Sequence, residues 1–175
     1  MNKLSFFGHC PLRIIALSLL LSVVAVFVGC YSFTGGSVPP HLKTIAIATV
    51  ADRSSFGQPV WREVATQFLV ERFRNDNTLQ LVDRNGDAEL RAAITTITEE
   101  PVTLRAGEVE RERKIRVALE VEYFDAVKQR TIFRRTFTSE QFFPIAQAAT
   151  ARDQAIRTAL EQIAGDVLLA VISDW

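Results

Sequence analysis

Strict alternation of apolar and polar positions is the clearest pattern in the second half of the chain. Between residues 113 and 124, apolar side chains occupy every second position, and Lys, Arg or Glu occupy most of the positions between them. This period of two predicts a long strand in a sheet with one buried and one hydrated face. Shorter alternating or Ile- and Val-rich runs predict further strands at 43–49, 79–82, 88–98 and 130–138.

The strand predicted at 88–98 follows a turn signal, Asn85-Gly86-Asp87. The alternation predicts one set of Leu90, Ala92, Ile94 and Thr96, and an opposite set of Arg91, Ala93, Thr95 and Ile97.

Two segments have the helical period instead. The first is predicted at 59–74, where Pro59 suits the first helical position and Asn75 to Asn77 end the repeat. The second is predicted at 148–172. The order strand, helix, strand at the start of the chain predicts a right-handed parallel crossover.

Together these elements predict an α/β (α+β) two-layer sandwich, a mixed sheet of four to five strands with two helices on one face. The other face of the sheet would carry Arg, Glu and Thr side chains. Two interpretations of that face stay open: it is simply hydrated, or a partner covers it.

The N-terminal segment has a different composition. Lys3 and Arg13 are its only charged residues, and an uncharged apolar run from 14 to 28 ends in Gly29-Cys30. This pattern is typical of a bacterial lipoprotein signal, with a charged start, an apolar centre and cleavage before the cysteine. The alternative is an uncleaved anchor, since a spanning helix needs about 20 apolar residues. The polar residues that directly follow Cys30 argue against that alternative.

We therefore predict a leader at 1–29, an acylated Cys30 with a flexible tether at 30–40, and a single α/β domain at 41–175. Several acyl chains on Cys30 would hold the domain permanently at a bilayer, because one chain alone binds only marginally. Tyr31 stands in place of the Asp that signals inner-membrane retention in many lipoproteins. We expect an outer-membrane lipoprotein that faces the periplasm.

Charge balance and the scarcity of reactive residues restrict the function. The 175-residue chain has 20 Lys and Arg and 20 Asp and Glu, mixed along its length, whereas nucleic-acid binding requires a basic cluster. Its two Cys and two His exclude zinc fingers and cysteine-rich scaffolds. Without the leader, His41 is the only histidine, and it follows a Pro-Pro pair. We expect no catalytic residues, no metal ligands, no nucleic-acid partner, and no cofactor besides the covalent lipid on Cys30.

Carboxylates are the remaining source of catalytic chemistry. Glu99 and Glu100 precede an acidic loop and leave a carboxylate-dependent cell-wall hydrolase as a weak alternative. Arginines alternate with these acids, a composition typical of a hydrated hairpin tip.

Several short motifs resemble one family. Cys30 to Gly35 (CYSFTG) and Pro39 to Ile47 (PPHLKTIAI) resemble the N-terminal signature of the lipopolysaccharide-assembly lipoprotein family, LptE. Weaker similarities follow at Asp52-Arg53-Ser54, Leu81-Val82-Asp83, Ala88-Glu89-Leu90 and Trp175. The likeness covers the whole mature chain, with departures at Ala48-Thr49 and Ala92.

The resemblance implies a non-catalytic outer-membrane lipoprotein that plugs a large β-barrel and supports it in lipopolysaccharide assembly. The implied partners are that barrel, lipopolysaccharide, and the membrane through the lipid anchor. Arginine and lysine suit the anionic head of lipopolysaccharide. The candidate contacts near the hairpin tip are Arg105, Arg111, Arg113 and Lys114.

A second family stays open. The first strand, the helix and the segment Leu79 to Arg84 (LQLVDR) also resemble TolB-like or curli-secretion-like envelope lipoproteins, which form oligomeric scaffolds or pores. Composition does not separate these two readings. A ring-shaped homo-oligomer in detergent would favour this alternative, whereas a co-purifying barrel would favour the first.

Overall fold

The computed structural model describes residues 38–102 and 111–173. The predicted leader, Cys30 and Arg105 therefore lie outside the described residues. Two helices and one mixed sheet make up the described fold, so the predicted α+β sandwich is confirmed. The elements are β1 (Thr44–Ile47), β2 (Ala51–Asp52), α1 (Val60–Asp76), β3 (Gln80–Val82), β4 (Ala88–Pro101), β5 (Glu112–Asp125), β6 (Arg130–Pro144), a 3-10 turn (Ile145–Gln147) and α2 (Ala148–Ser173).

The sheet has a parallel half and an antiparallel half. Its strand order is β3-β1-β4-β5-β6, and β2 also pairs with β4. β1 runs parallel to both β3 and β4, as the predicted crossover through α1 requires, while β4, β5 and β6 are antiparallel. β2 was not predicted. Its two residues continue the parallel pairing that β1 makes with β4: Ile45 of β1 pairs with Ala88, and Ala51 of β2 pairs with Ala93 further along β4.

The loop from β3 to β4 crosses the backbone of β1, and Gly86 makes the crossing possible. A Cβ added at Gly86 would lie 2.6 Å from the amide nitrogen of Ala46 and 2.9 Å from the carbonyl carbon of Ile45. The next residue, Asp87, accepts hydrogen bonds from the backbone N–H groups of Lys43 and Thr44, each at 3.0 Å. The carboxylate thereby satisfies donors at the start of β1.

The helices cover one face of the sheet, and the core lies between them. α2 packs on β5 and β6, and α1 packs beside α2. The inward residues of β5 are those that alternation predicts, each at most 1% exposed: Ile115, Val117, Leu119, Val121 and Tyr123. From α2 the most deeply buried apolar residues recur at helical spacing: Ile156, Ala159, Ile163, Val167 and Val171.

One facing prediction is wrong. Alternation grouped Thr96 with Leu90 and Ile94 and assigned Ile97 to the opposite set, but Ile97 is 5% exposed and lies in the core with Leu90 and Ile94. A β-bulge between Ile94 and Thr96 is the cause, since Ile94 pairs with Leu119 and Thr96 with the next residue along, Ala118. One inserted residue shifts the alternation by one position, so every later side chain changes face.

β6 is longer than the predicted 130–138 and reaches Pro144. The added part ends in two phenylalanines that point to opposite faces. Phe143 is 2% exposed in the core, whereas Phe142 is 60% exposed on the other side. The extension therefore places an aromatic ring on the outer face near the β4–β5 hairpin.

Candidate functional site

The outer face of β4, β5 and β6, opposite the helices, carries most of the charged side chains of the sheet. We call this surface the polar face. Cross-strand rows define it, for example Thr98, Arg116 and Glu140, or Arg91, Glu122 and Arg134. In the described residues its cations and carboxylates are nearly equal in number: Arg53, Arg91, Lys114, Arg116 and Arg134 against Glu89, Glu100, Glu112, Glu120, Glu122 and Glu140.

Four of these groups form a compact quartet toward the β4–β5 hairpin. Lys114 Nζ lies 3.4 Å from Glu100 Oε2 and 3.3 Å from Glu140 Oε2. Arg116 lies 2.7 Å from Glu140 and 3.9 Å from Glu100. A hydrogen bond from Arg116, and to a smaller extent one from Lys114, lowers the pKa of Glu140 below its usual value. Each charge of the quartet therefore has two opposite neighbours.

The other half of the polar face is paired in the same way. Glu120 accepts from Arg134 and lies 3.6 Å from Arg53 Nη1, which reaches it from the residue after β2. Arg91 contacts Glu89 at 2.5 Å and lies over the ring of Phe124 at 5.1 Å from its centroid. Oppositely charged neighbours thus run along the whole length of the face.

Lateral pairing determines what this face can bind. Exposed ion pairs contribute only about 0–1 kcal/mol each to the free energy of unfolding, so these charges add little to the stability of the fold. Their effect is a surface that is strongly polar and locally neutral. Such a surface suits hydrated contacts with a polar wall better than recognition of one concentrated charge.

The predicted lipopolysaccharide contacts do not form a single cluster in the described part of the chain. Arg113 and Lys114 are consecutive strand residues, so their side chains point to opposite faces. Arg113 Nη1 bonds Glu99 Oε1 at 2.7 Å, while Lys114 belongs to the quartet. Arg111 is exposed just before β5, and its carbonyl accepts from the N–H of Ile145 at 3.0 Å. Neighbouring glutamates therefore already pair two of the four predicted cations.

Phe142 is a feature of the polar face that the sequence prediction missed. It pairs across the strands with Lys114 and exposes 60% of its surface beside the quartet. The signal was present in the sequence, because two consecutive phenylalanines at the end of an alternating strand require one of them to face outward. The polar face thus has one aromatic contact point near the hairpin.

The structure provides no support for the hydrolase alternative. Glu99 and Glu100 point to opposite faces of β4 and contact different cations, Arg113 and Lys114, so they do not form a carboxylate pair across one substrate. Within residues 38–102 and 111–173, His, Cys, Asp and Glu side chains form no group of three or more that could hold a metal ion.

His41 has a structural partner. Its Nε2 lies 2.8 Å from Oδ2 of Asp125, a carboxylate only 1% exposed at the end of β5. Burial alone would raise the pKa of Asp125, but hydrogen bonds from His41 and from the N–H of Lys128 outweigh it and lower the pKa. The pair ties the start of the folded body to the β5–β6 turn.

Comparison with protein families identifies the fold. The family model for LptE, described as lipopolysaccharide-assembly, matches residues 42–171. The chain belongs to the LptE family. The matched range includes all six strands, the whole of α1, and α2 up to Val171, so LptE membership does not depend on a short motif. A search of curated proteins finds no significant match.

Solved structures share the LptE-like fold at low sequence identity. A protein from Xanthomonas campestris is 14% identical, with a TM-score of 0.58 over 79% of this chain and 91% of that one. A minor lipoprotein from Acinetobacter baumannii is 13% identical, with a TM-score of 0.53 over 74% and 92%. Lipoprotein B from Nitrosomonas europaea is 11% identical, with a TM-score of 0.52 over 76% and 84%. At these identities the likeness establishes the fold alone.

Across the described ranges, neither α1 nor α2 has the combined length and apolar character needed to cross a bilayer.

Proposed function

We propose that this protein is an outer-membrane lipoprotein, acylated at Cys30 and facing the periplasm, that plugs a large β-barrel and supports it in lipopolysaccharide assembly without catalysing a reaction. Membership of the LptE family supports the assembly role. The polar face is the observation that carries the plugging role. The two depend on different evidence and are tested separately.

The physical argument starts from the interior of a wide barrel. Such a barrel encloses an aqueous lumen lined by polar side chains. A plug must therefore present a polar surface without burying unpaired charge, since an isolated buried charge is costly. On the polar face, each cation lies within ion-pair distance of a carboxylate of the same chain. It can approach a polar wall with its own ion pairs intact.

Lipopolysaccharide contact is the finer part of the proposal. Arg105, Arg111, Arg113 and Lys114 are the proposed contacts with its anionic head. For Arg113 and Lys114, the phosphate would take over hydrogen bonds that Glu99, Glu100 and Glu140 now accept. Phosphate, like carboxylate, accepts charge-assisted hydrogen bonds from Arg and Lys, so the exchange replaces one ionic acceptor by another.

The test places a photo-crosslinking amino acid at Thr136 or Thr138, exposed positions in the middle of the polar face. The full chain is expressed in its host, irradiated in intact envelopes, and the adducts are identified by mass spectrometry. We expect an adduct with a large outer-membrane barrel, and we expect its loss in a Cys30→Ser variant. Adducts only between copies of this chain would favour the oligomeric scaffold and contradict plugging.

The same strains provide a readout for lipopolysaccharide. Arg111→Glu with Arg113→Glu should reduce the lipopolysaccharide that co-purifies while leaving the barrel adduct intact. Arg62→Glu with Arg157→Glu, which reverses two exposed charges on the helices, is the matched control. Unchanged lipopolysaccharide in the double variant would remove the proposed contacts but not the barrel partner.

A further inference from the structure

The turn between β5 and β6 lies where the described chain enters the fold. His41, near the first described residue, contacts Asp125 at the end of β5, at 2.8 Å. The N–H of Ala126 donates to the carbonyl of Asp87 at 2.9 Å, and Asp87 in turn binds the start of β1. The turn and the N-terminal entry point are thus held together at one end of the sheet.

This end of β6 has a charge bias that the polar face lacks. From residue 126 to 139 the sequence AVKQRTIFRRTFTS contains four cations and no carboxylate. Arg134 is paired with Glu120 on the polar face, and Arg135 lies over the ring of Phe133. Lys128 and Arg130 are exposed at the turn itself. We call Val127, Lys128 and Arg130 the basic turn.

Two carboxylates near the basic turn are hydrogen-bonded to other parts of the fold. Asp125 is 1% exposed and accepts hydrogen bonds from His41 and from the N–H of Lys128. Asp87 accepts from the N–H groups of Lys43 and Thr44. Both carboxylates are hydrogen-bonded within the fold, whereas Lys128 and Arg130 are exposed at the turn.

The apex of the basic turn is apolar and rigidly held. Val127 exposes 56% of its surface, next to Lys128. Asp125 Oδ1 accepts from the N–H of Lys128 at 2.8 Å, and the side-chain amide of Gln129 donates to the carbonyl of Ala126 at 2.6 Å. These bonds close the turn on both sides, so the valine and its flanking cations are presented together.

An apolar tip flanked by cations is the chemistry that binds an anionic bilayer interface, where the side chain enters the headgroup region and the cations meet lipid phosphates. The covalent chain supplies the proximity. Seven residues separate Cys30 from Val38, and the eight steps between them span at most roughly 28 Å when fully extended. An acylated Cys30 therefore keeps the entry end of the domain within reach of the leaflet that holds its acyl chains.

We propose that the basic turn docks on the anionic phospholipid headgroups of the leaflet in which the Cys30 acyl chains are embedded. This inference rests on the proposed acylation of Cys30. Two contacts, the anchor and the turn, set the orientation of the domain, whereas an anchor on a tether alone leaves it free to rotate.

The test labels Val127→Cys with an environment-sensitive fluorophore. The sequence has two cysteines, Cys10 in the predicted leader and Cys30, so the introduced thiol is the only free one in a processed, acylated protein. The purified lipoprotein is incorporated into vesicles of phosphatidylethanolamine with phosphatidylglycerol, and into phosphatidylcholine vesicles. Headgroup spin labels report contact by quenching. Val60→Cys is the control, because Val60 is 50% exposed and begins α1. The other end of α1 leads into β3, which pairs with the start of β1 beside the basic turn, so Val60 lies away from that turn.

We expect quenching at position 127 in the anionic vesicles, little in the neutral ones, and loss at high salt, because salt screens the attraction. Lys128→Glu with Arg130→Glu should lower the equilibrium constant for contact by on the order of tenfold or more. Arg157→Glu with Arg62→Glu changes the net charge equally at exposed helix positions away from this end of the sheet and should leave the quenching unchanged.

Equal quenching at positions 60 and 127 would overturn the proposal. The proposal would also be overturned if the probe at 127 were not quenched in vesicles and its emission shifted only when a barrel co-purifies, since a protein would then cover the turn. The mass of the processed protein tests the anchor separately. If Cys30 is not acylated, the proposed anchor fails, and the same probe with added anionic vesicles decides the turn on its own: quenching supports docking and its absence refutes it.

Discussion

Gly86 provides the sharpest test of the fold, because backbone atoms surround it. A Cβ at this position would lie 2.6 Å from the nitrogen of Ala46, 2.7 Å from the carbonyl oxygen of Ala88 and 2.9 Å from the carbonyl carbon of Ile45. Side chains can rotate away from an added methyl group, but paired strand backbones cannot do so cheaply. The Gly86→Ala variant must therefore lift the crossing loop from β1 or displace β1 from its neighbours.

The cost has two parts. Overpacking in a well-packed region typically costs about 1–3 kcal/mol. A lifted loop also weakens the bonds of Asp87 to the N–H groups of Lys43 and Thr44, and the bond from its own N–H to Thr44 Oγ1 at 2.8 Å, with about 1 kcal/mol for each bond lost. We expect Gly86→Ala to lower the free energy of unfolding by about 3 kcal/mol, which corresponds to a fall in Tm of about 10 °C for a domain of this size.

Gly165 is the matched control, because a Cβ there meets no atom within 4 Å and the residue lies inside α2. Gly165→Ala should raise the free energy of unfolding by about 0.5–1 kcal/mol, since alanine favours the helix. Urea unfolding followed by circular dichroism, on protein lacking the leader and carrying Cys30→Ser, measures both variants. A Gly86→Ala protein within 1 kcal/mol of the parent would refute the close crossing.

Two further predictions concern acid stability and the β-bulge. The pKa values of Asp87 and Asp125 are lower in the fold than their usual values, the first mainly through the Lys43 N–H and the second through hydrogen bonds that outweigh burial. As pH falls below about 5, the unfolded chain therefore binds protons before the folded chain does, and the free energy of unfolding decreases. Asp87→Asn with Asp125→Asn should reduce this decrease, as measured by urea unfolding at a series of pH values. Ile97→Ala should lower the free energy of unfolding by about 2–5 kcal/mol because the side chain is in the core, whereas Thr96→Ala should change it by less than about 0.5 kcal/mol; equal effects would contradict the bulge.

Alternation predicted the strands well wherever one residue in two is buried. β5 follows this rule from end to end, so its inward set was recovered from the sequence alone. The bulge in β4 broke the rule, although the spacing of three between Ile94 and Ile97 was a readable signal. β2 has two residues and no pattern of its own, because its strand character consists of its pairing with β4.

Features that depend on register were beyond sequence reasoning. Alternation assigns Lys114 and Arg116 to the outer face of β5, but their contact with Glu100 and Glu140 depends on how three strands align. The Asn85-Gly86 pair indicated a turn, yet its role in crossing β1 follows from the packing of β1 between β3 and β4. The residue types therefore predicted a charged outer face, whereas the alignment of the strands determines which of its cations contact carboxylates.

The polar face and the basic turn are therefore complementary. The face is paired and locally neutral, so its contacts depend on shape and hydration, and salt has little charge imbalance to screen. The turn has exposed cations beside an exposed valine, so the attraction that we propose to an anionic surface is long-ranged and sensitive to salt. A protein with this division can adhere to a membrane at one end while its long face meets a polar partner. In the arrangement that we propose, the anchored end directs the approach, and the face can fit closely against a polar wall because its ion pairs are already formed within the chain.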